Sequence, residues 1–324
     1  MTIKHQLLIS KTRAYEKENY HTSLTLLLSS IVFLLASYAC SLFIPFLAIK
    51  IVSSILHGLL VVRLFGMYHD FAHGAIFRKG KIGAILLKGL GLYALTPISI
   101  WRRSHNFHHS HNSKLAFASI GSYPIMSKKE FLNASAKEKN SYLLARHPLL
   151  ILFGYFTIFL FGMCIRPAIL NLKEHKDAVW ALVIHLISGS LHFYFGGFTI
   201  GIFAFLIPHF ISSAVGSYLF YAQHNFPEAQ FKNKEEWTYI DAALHSSSYM
   251  KMPKIWEWFT ANIGYHHIHH VNSKIPFYRL PQVMRDLPEF QQPRSTSLSF
   301  KGIRSCLKLK LWDEETRSLV PKQG

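Results

Sequence analysis

"SLTLLLSSIVFLLASYACSLFIPFLA", residues 23–48, contains no charged side chain. As a helix rising about 1.5 Å per residue, a stretch of this length exceeds the roughly 30 Å hydrocarbon core of a bilayer. The apolar character resumes after Lys50 and runs to residue 62, so two closely spaced crossings are expected, over about residues 23–42 and 45–65. Residues 178–196 and 197–222 are two further apolar runs, the second rich in the Gly, Ala and Ser that let helices approach closely in lipid. Residues 149–165 are also apolar, and 82–100 form a marginal segment that carries Lys88 and three glycines. The expected fold is an all-α integral membrane protein with about four transmembrane helices.

The formal net charge of +18 would suit nucleic acid if it lay along one face. Instead the basic residues are scattered through loops and flanks, among them Arg78, Lys79 and Lys81, Arg102 and Arg103, Lys128 and Lys129, and Lys308 and Lys310. That distribution matches positive-inside topology and contact with anionic headgroups, so no nucleic-acid partner is expected. Cys40, Cys164 and Cys306 are far apart and form no CxxC pair, which argues against a disulfide framework and against a thiolate metal site. The polar lead-in with Lys4, Lys11, Arg13 and Lys17 lacks a small-residue cleavage site and is read as cytosolic. The expected division is a cytosolic segment over 1–22, one membrane domain over 23–290, and a basic cytosolic tail over 291–324.

The polar segments hold clustered histidines. "HDFAH" places His69 and His73 four residues apart, on one face of a helix. "HNFHH" places His105, His108 and His109 at i, i+3 and i+4, and "HHIHH" repeats that spacing with His266, His269 and His270. One HxxHH match is rare by chance, and the repetition is the strong signal. Neutral imidazoles in such clusters are nitrogen donors that suit iron, copper, zinc or nickel. Eight are too many for one ion, so two ions sharing the cluster is the natural reading. His224 in "YAQHNF", where an apolar run meets the polar phase, is a ninth candidate. The isolated histidines, such as His57, His185, His192 and His209, are read as packing or interfacial residues.

The clusters can meet only if they lie on one membrane face, which requires an even number of crossings between them. With a cytosolic N-terminus, the hairpin over 23–65 returns the first cluster to the cytosol. Residues 82–100 and 149–165 must then be re-entrant or interfacial, while 178–196 and 197–222 cross.

At this level of detail the chain resembles the membrane fatty acid desaturases, most closely the bacterial and cyanobacterial acyl-lipid desaturases of the Δ12 (omega-6) type. The resemblance is carried by "HDFAHGAIF", "WRRSHNFHHSHNS", "FYAQHNF" and "WFTANIGYHHIHHVNSKIPFYRLP", in that order, and extends from about residue 30 to 290. It implies a non-haem di-iron enzyme that uses O2 and two electrons per turnover, with a cytosolic helical cap holding the metals. By the family pattern His69, His73, His105, His108, His109, His266, His269 and His270 are the iron ligands, with His224 the extra one. His111 and His267 match no ligand position and are expected to support the ligands from behind. Asp70, Asn225 and Asn262, adjacent to ligands, are candidates for orienting imidazoles by hydrogen bonds. The first cluster has three residues between its histidines where stearoyl-CoA-type relatives have four, which points to the acyl-lipid branch.

Removing hydrogen from an unactivated methylene is beyond any side-chain acid or base, so the protein's own task is placement of the acyl chain. Aromatic candidates for the wall of a substrate tunnel are Phe71, Trp101, Phe107, Trp258 and Phe259, together with Phe65. The chain has no Rossmann fingerprint, no cysteine cluster and no HPGG-type haem motif. A separate electron donor, ferredoxin or a b-type cytochrome, is therefore expected, with Lys251, Lys254 and Arg279 as steering charges. The expected setting is a bacterial inner membrane, with both termini and all clusters cytoplasmic. A related hydroxylase or ketolase acting on carotenoid, sterol or alkane is the alternative within the same chemistry. A metal transporter would instead bury its ligands inside the spans.

Overall fold

The computed structural model describes residues 3–115 and 123–322. After a short α1 (Ile3–Arg13), two long helices form a hairpin, α2 (Tyr20–Phe43) and α3 (Leu47–His73). Asn19 starts α2 by accepting a hydrogen bond from the Thr22 amide. Lys50, the charge that separates the two apolar runs, is buried at the turn and donates from Nζ to the Ser41 carbonyl at 2.6 Å. A cation there satisfies the open carbonyls at the C-terminus of α2. Helix α3 does not stop near residue 65 but continues to His73 and ends on Gly74, whose φ of 71° is the left-handed cap. Its 27 residues span about 40 Å, so the His69–His73 end projects beyond a hydrocarbon core of about 30 Å.

Helices α4 (Lys81–Tyr93) and α5 (Ile98–His111) meet at a 91° bend, and α5 carries the second histidine cluster. A mainly π-helical segment, Tyr155–Ile165, follows within the apolar run over 149–165. Among the described residues, three stretches are long and apolar enough to cross a membrane: α2, α3 and Lys176–Ala222. The last is a hairpin rather than a rod. The rings of His185 and His209 lie 4.9 Å apart, so α6 (Lys176–Ile200) and α7 (Ile207–Ala222) run antiparallel and reverse at Gly197, whose φ of 66° supplies the break. Along α2 and α6 large apolar side chains such as Val32, Leu35, Leu186 and Phe195 are exposed, a belt that needs lipid rather than water around it. Of the isolated histidines inside the bundle, His57, His192 and His185 pair with the hydroxyls of Tyr93, Tyr38 and Tyr155, while His209 faces the carbonyls of Phe205 and Tyr93.

Among the described residues, two small sheets qualify the all-α expectation. Strands β1 (Tyr249–Lys251) and β2 (Ser295–Ser297) pair in parallel, and β3 (Leu309–Asp313) and β4 (Ser318–Pro321) pair antiparallel. The stretch read as a tail is folded onto the cap: Cys306, Leu309, Trp312 and Leu319 are buried in one cluster with Phe226 and Phe231. The N-terminus is also tied down. The side-chain amide of Asn272, two residues past the third cluster, donates to Thr12 Oγ1 at 3.0 Å and Glu16 Oε1 at 2.9 Å, and the Phe77 amide donates to Glu18 Oε1 at 2.7 Å.

Candidate metal centre

Nine histidines from four segments converge. The end of α3 contributes His69 and His73, α5 contributes His105, His108 and His109, the turn after α7 contributes His224, and a short helix over His266–Val271 contributes His266, His269 and His270. They sort into two groups, His69, His73, His105, His109 and His269 in one and His108, His224, His266 and His270 in the other. Within each group the ligating nitrogens all lie within 4.8 Å of one another. The helical spacing explains the sorting. His105 and His109 share a row one turn apart and enter the first group, while His108 is offset around the helix and enters the second.

The nitrogens meet Nε2 to Nε2. His69 to His105 is 2.8 Å, His105 to His109 is 3.1 Å, and His109 to His269 is 3.1 Å. In the second group His108 to His224 is 3.0 Å, His224 to His266 is 2.9 Å, and His266 to His270 is 3.1 Å. A chain of imidazoles cannot satisfy such contacts as ordinary hydrogen bonds, because each neutral ring has only one N–H to share. The spacing fits a cation: with metal–nitrogen bonds of about 2.1 Å, ligands at right angles lie about 3.0 Å apart. The residues present therefore fit two first-row metal ions.

The surroundings keep these rings in the metal-binding form. Burial, and then the neighbouring imidazoles, hold His266, His269 and His270 well below the ordinary imidazole range. His224 is pushed down to about 4 by its enclosure, although the Ser246 carbonyl pulls the other way. That carbonyl accepts from His224 Nδ1 at 3.0 Å and leaves Nε2 free to face the cluster. Asp70 does the same for His69, with Oδ1 at 3.4 Å from Nδ1, while its Oδ2 accepts from the Phe277 amide at 2.6 Å. Neither Ser246 nor Phe277 is recognisable from sequence, since both act through the backbone.

The other supporting residues divide. His267 is buried beside Phe290 and Tyr249, behind the third cluster. His111 stacks on Phe107 at 4.1 Å and bonds to the Phe107 carbonyl, turned away from the cluster. Asn225 points away too, donating to the Cys306 carbonyl at 2.7 Å and accepting from Arg146, so it ties down the C-terminal segment instead of an imidazole. Asn262, at φ 55°, donates to the Phe277 carbonyl at 3.1 Å, so Asn262 and Asp70 hold the backbone of one residue, Phe277, at its carbonyl and its amide.

A cavity of about 60 Å³ abuts His69, His105 and His266, walled by Val62, Phe65, Trp101 and Phe220. Of the expected tunnel aromatics, Trp101 and Phe65 line it, and Trp101 stacks on His105 at 4.9 Å. Phe71 and Phe107 do not, because each sits two positions from a ligand, about 200° around its helix. Trp258 lies 4.0 Å beneath the Arg63 guanidinium, and Phe259 packs against Trp256 and Trp258. Phe220, four residues before His224 and over His108 at 5.4 Å, is a wall residue that i, i+4 spacing from that ligand would have flagged.

Comparison with known proteins agrees with this centre. A family model described as fatty acid desaturase matches residues 45–301. A Bacillus subtilis protein named fatty acid desaturase is 31% identical over 268 residues, covering 80% of this chain and 74% of its own length. A chloroplastic omega-3 fatty acid desaturase of Glycine max is 25% identical, covering 69% of this chain and 51% of its own. An sn-1 oleoyl-lipid 12-desaturase of Picosynechococcus is 22% identical, covering 69% and 65%. The matched region takes in every one of the nine converging histidines, and the chain belongs to the fatty acid desaturase family, a family of membrane-bound oxidoreductases.

Proposed function

We propose that the chain is an O2-dependent di-iron desaturase that introduces a cis double bond into a membrane-lipid acyl chain, in the manner of the Δ12 (omega-6) type. The observation that carries this is the pairing of two histidine groups with an apolar cavity at their edge. Iron in both groups would supply the oxidising power, drawn from O2 and two electrons, that removes one hydrogen from each of two adjacent methylenes. The chain's own residues do the rest. Asp70 and the Ser246 carbonyl fix the faces of His69 and His224, and Trp101 braces His105. Val62, Phe65 and Phe220 exclude water from the reacting stretch of the acyl chain and hold it against His69, His105 and His266.

Four crossings, by α2, α3, α6 and α7, would put all nine histidines on one side, as their meeting requires. The bent α4–α5 pair and Tyr155–Leu170 would then stay within one face of a bacterial inner membrane, with the cap and both termini cytoplasmic. Electrons would come from a ferredoxin or a b-type cytochrome docking on the cap, where Lys251 and Lys254 are exposed. The Arg279 guanidinium also donates to the carbonyls of Tyr15 and Lys17 and so holds the N-terminal segment.

Expression in a host without polyunsaturated lipids, followed by fatty acid profiling, tests the reading. A new diene supports it and its position names the type, a necessary step since relatives include omega-3 and 12-desaturases. Hydroxylated or isoprenoid products with unchanged acyl chains would support a hydroxylase or ketolase instead.

A further inference from the structure

A larger cavity, of about 300 Å³, lies within the helical bundle between α2, α3, α4 and α6, and it shares no lining residue with the space beside the metals. Helix α3 lines it with His57 and Leu64, and lines the other with Val62, Phe65 and His69. His57 comes twelve residues before His69 and so lies about 18 Å from it along the helix. The rim carries the exposed Leu35 and Leu86. At Tyr38, Ser188 and His192 the cavity meets an apolar groove of about 620 Å³ between α2 and α6. Among the described residues no Lys, Arg, Asp or Glu lines either space.

Four polar side chains line this cavity as two pairs, and their hydrogens do not balance. His192 Nδ1 faces the Ser188 carbonyl at 2.6 Å and must donate, so its Nε2 accepts from the Tyr38 hydroxyl at 2.7 Å. That pair is complete and leaves the Tyr38 oxygen able to accept. His57 Nε2 and the Tyr93 hydroxyl meet at 2.9 Å, while His57 Nδ1, in a side chain 3% exposed, has no partner. A neutral imidazole carries one N–H and a phenol one O–H. One bond between them uses one hydrogen and leaves the other without an acceptor, whichever tautomer is present. A spare donor in an apolar setting is costly, so the cavity lacks an oxygen. We propose that it binds a neutral lipid with a single hydroxyl on a long apolar body. The hydroxyl oxygen accepts the spare hydrogen of the His57–Tyr93 pair. Its own hydrogen goes to the Tyr38 oxygen, on a ring 5.8 Å from that of His57. The apolar body lies among the leucines and runs into the α2–α6 groove. A carboxylate or phosphate head would find no counter-charge there. Depth selects the same class, because His57 lies about 15 Å from the Leu47 end of α3 and about 24 Å from the His73 end, near the middle of a bilayer. The assignment holds whatever reaction the metals carry out.

The test is photolabelling of the full chain in lipid nanodiscs with a diazirine analogue of hexadecanol, followed by peptide mapping by mass spectrometry. Saturable labelling is expected on the cavity segments 27–38 and 86–93. Hexadecanol should displace it about tenfold better than hexadecane, which lacks the oxygen, or hexadecanoate, which brings a charge; tenfold is the scale of one lost hydrogen bond. His57→Phe keeps a ring and removes both nitrogens, and is expected to weaken labelling by about the same factor. The competitor series needs only the wild type, so it decides if that variant does not accumulate. Labelling confined to peptides bearing Trp101 or Phe220, equal displacement by hexadecane, or unchanged labelling of His57→Phe overturns the proposal. So does the absence of saturable labelling, the result for a cavity that holds only water.

Discussion

Asp70→Asn is the most discriminating perturbation of the metal centre, because it keeps the shape and removes only the acceptor pair. In the native protein both carboxylate oxygens accept, one from the Phe277 amide at 2.6 Å and the other facing His69 Nδ1 at 3.4 Å. An asparagine can match only one of these. If its oxygen keeps the Phe277 amide, its NH2 group faces Nδ1 and forces the ring proton onto Nε2, the atom that must bind metal. If it flips, the NH2 group opposes the Phe277 N–H and a buried donor loses its acceptor, at a cost of about 1–3 kcal/mol. Losing a group that orients a metal-ligating histidine lowers metal affinity by about 10–100-fold, and the long 3.4 Å contact places this case near tenfold. The assay is iron per chain by elemental analysis in detergent, across a chelator titration. The variant should release iron at about one tenth of the wild-type chelator concentration, with unchanged helix content. Coincident titration curves would refute the role given to Asp70.

Other outcomes follow from the same geometry. His266→Ala and His269→Ala each remove a ligand from a different group, so each should abolish activity and lower bound iron; full activity in either would remove that residue from the centre. Arg63 is buried in α3, donates from Nε to Ser30 Oγ at 2.9 Å and from Nη1 to the Trp258 carbonyl. Arg63→Met should destabilise the protein by about 2 kcal/mol through loss of charge-assisted hydrogen bonds, read as a lower melting temperature in detergent. An unchanged melting temperature would show that Arg63 is no anchor for the segment bearing Trp258. Removing residues 1–16 deletes the partners of Asn272, so the shortened protein should lose iron to chelator faster than the full chain, and equal rates would mean that the N-terminal segment does not brace the third cluster.

The histidine clusters were legible because a helical period of 3.6 converts i, i+3 and i+4 spacing directly into a shared face. The same period explains why Phe71, two positions from a ligand and so about 200° around its helix, fails as a tunnel wall. Asn225 follows His224 in sequence, yet both lie in the turn after α7, where no helical period applies, and the Asn225 side chain turns to Arg146 and Cys306. The apolar runs showed where helices lie but not where α3 ends, since a buried helix leaving the membrane beneath a cap keeps its apolar face past residue 65. Residues 291–324 read as a tail because lysine and arginine dominate the eye. The alternation in "LKLKLW", residues 307–312, was the available strand signal, and three of its apolar residues, Leu309, Leu311 and Trp312, are buried. Backbone acceptors such as the Ser246 carbonyl carry no signature in residue type at all.

The contact between Thr12 and Asn272 joins residues 260 positions apart. On a ribosome moving at about 5–20 residues per second, the first helix therefore waits some 13–52 seconds for its partner. Over most of that interval His69 and His73 are already out of the ribosome while His266, His269 and His270 do not yet exist. The nine histidines can thus come together only when nearly the whole chain has been made, and the N-terminal helix can engage Asn272 no earlier, so any metal that needs all nine would be loaded only at the end of biosynthesis.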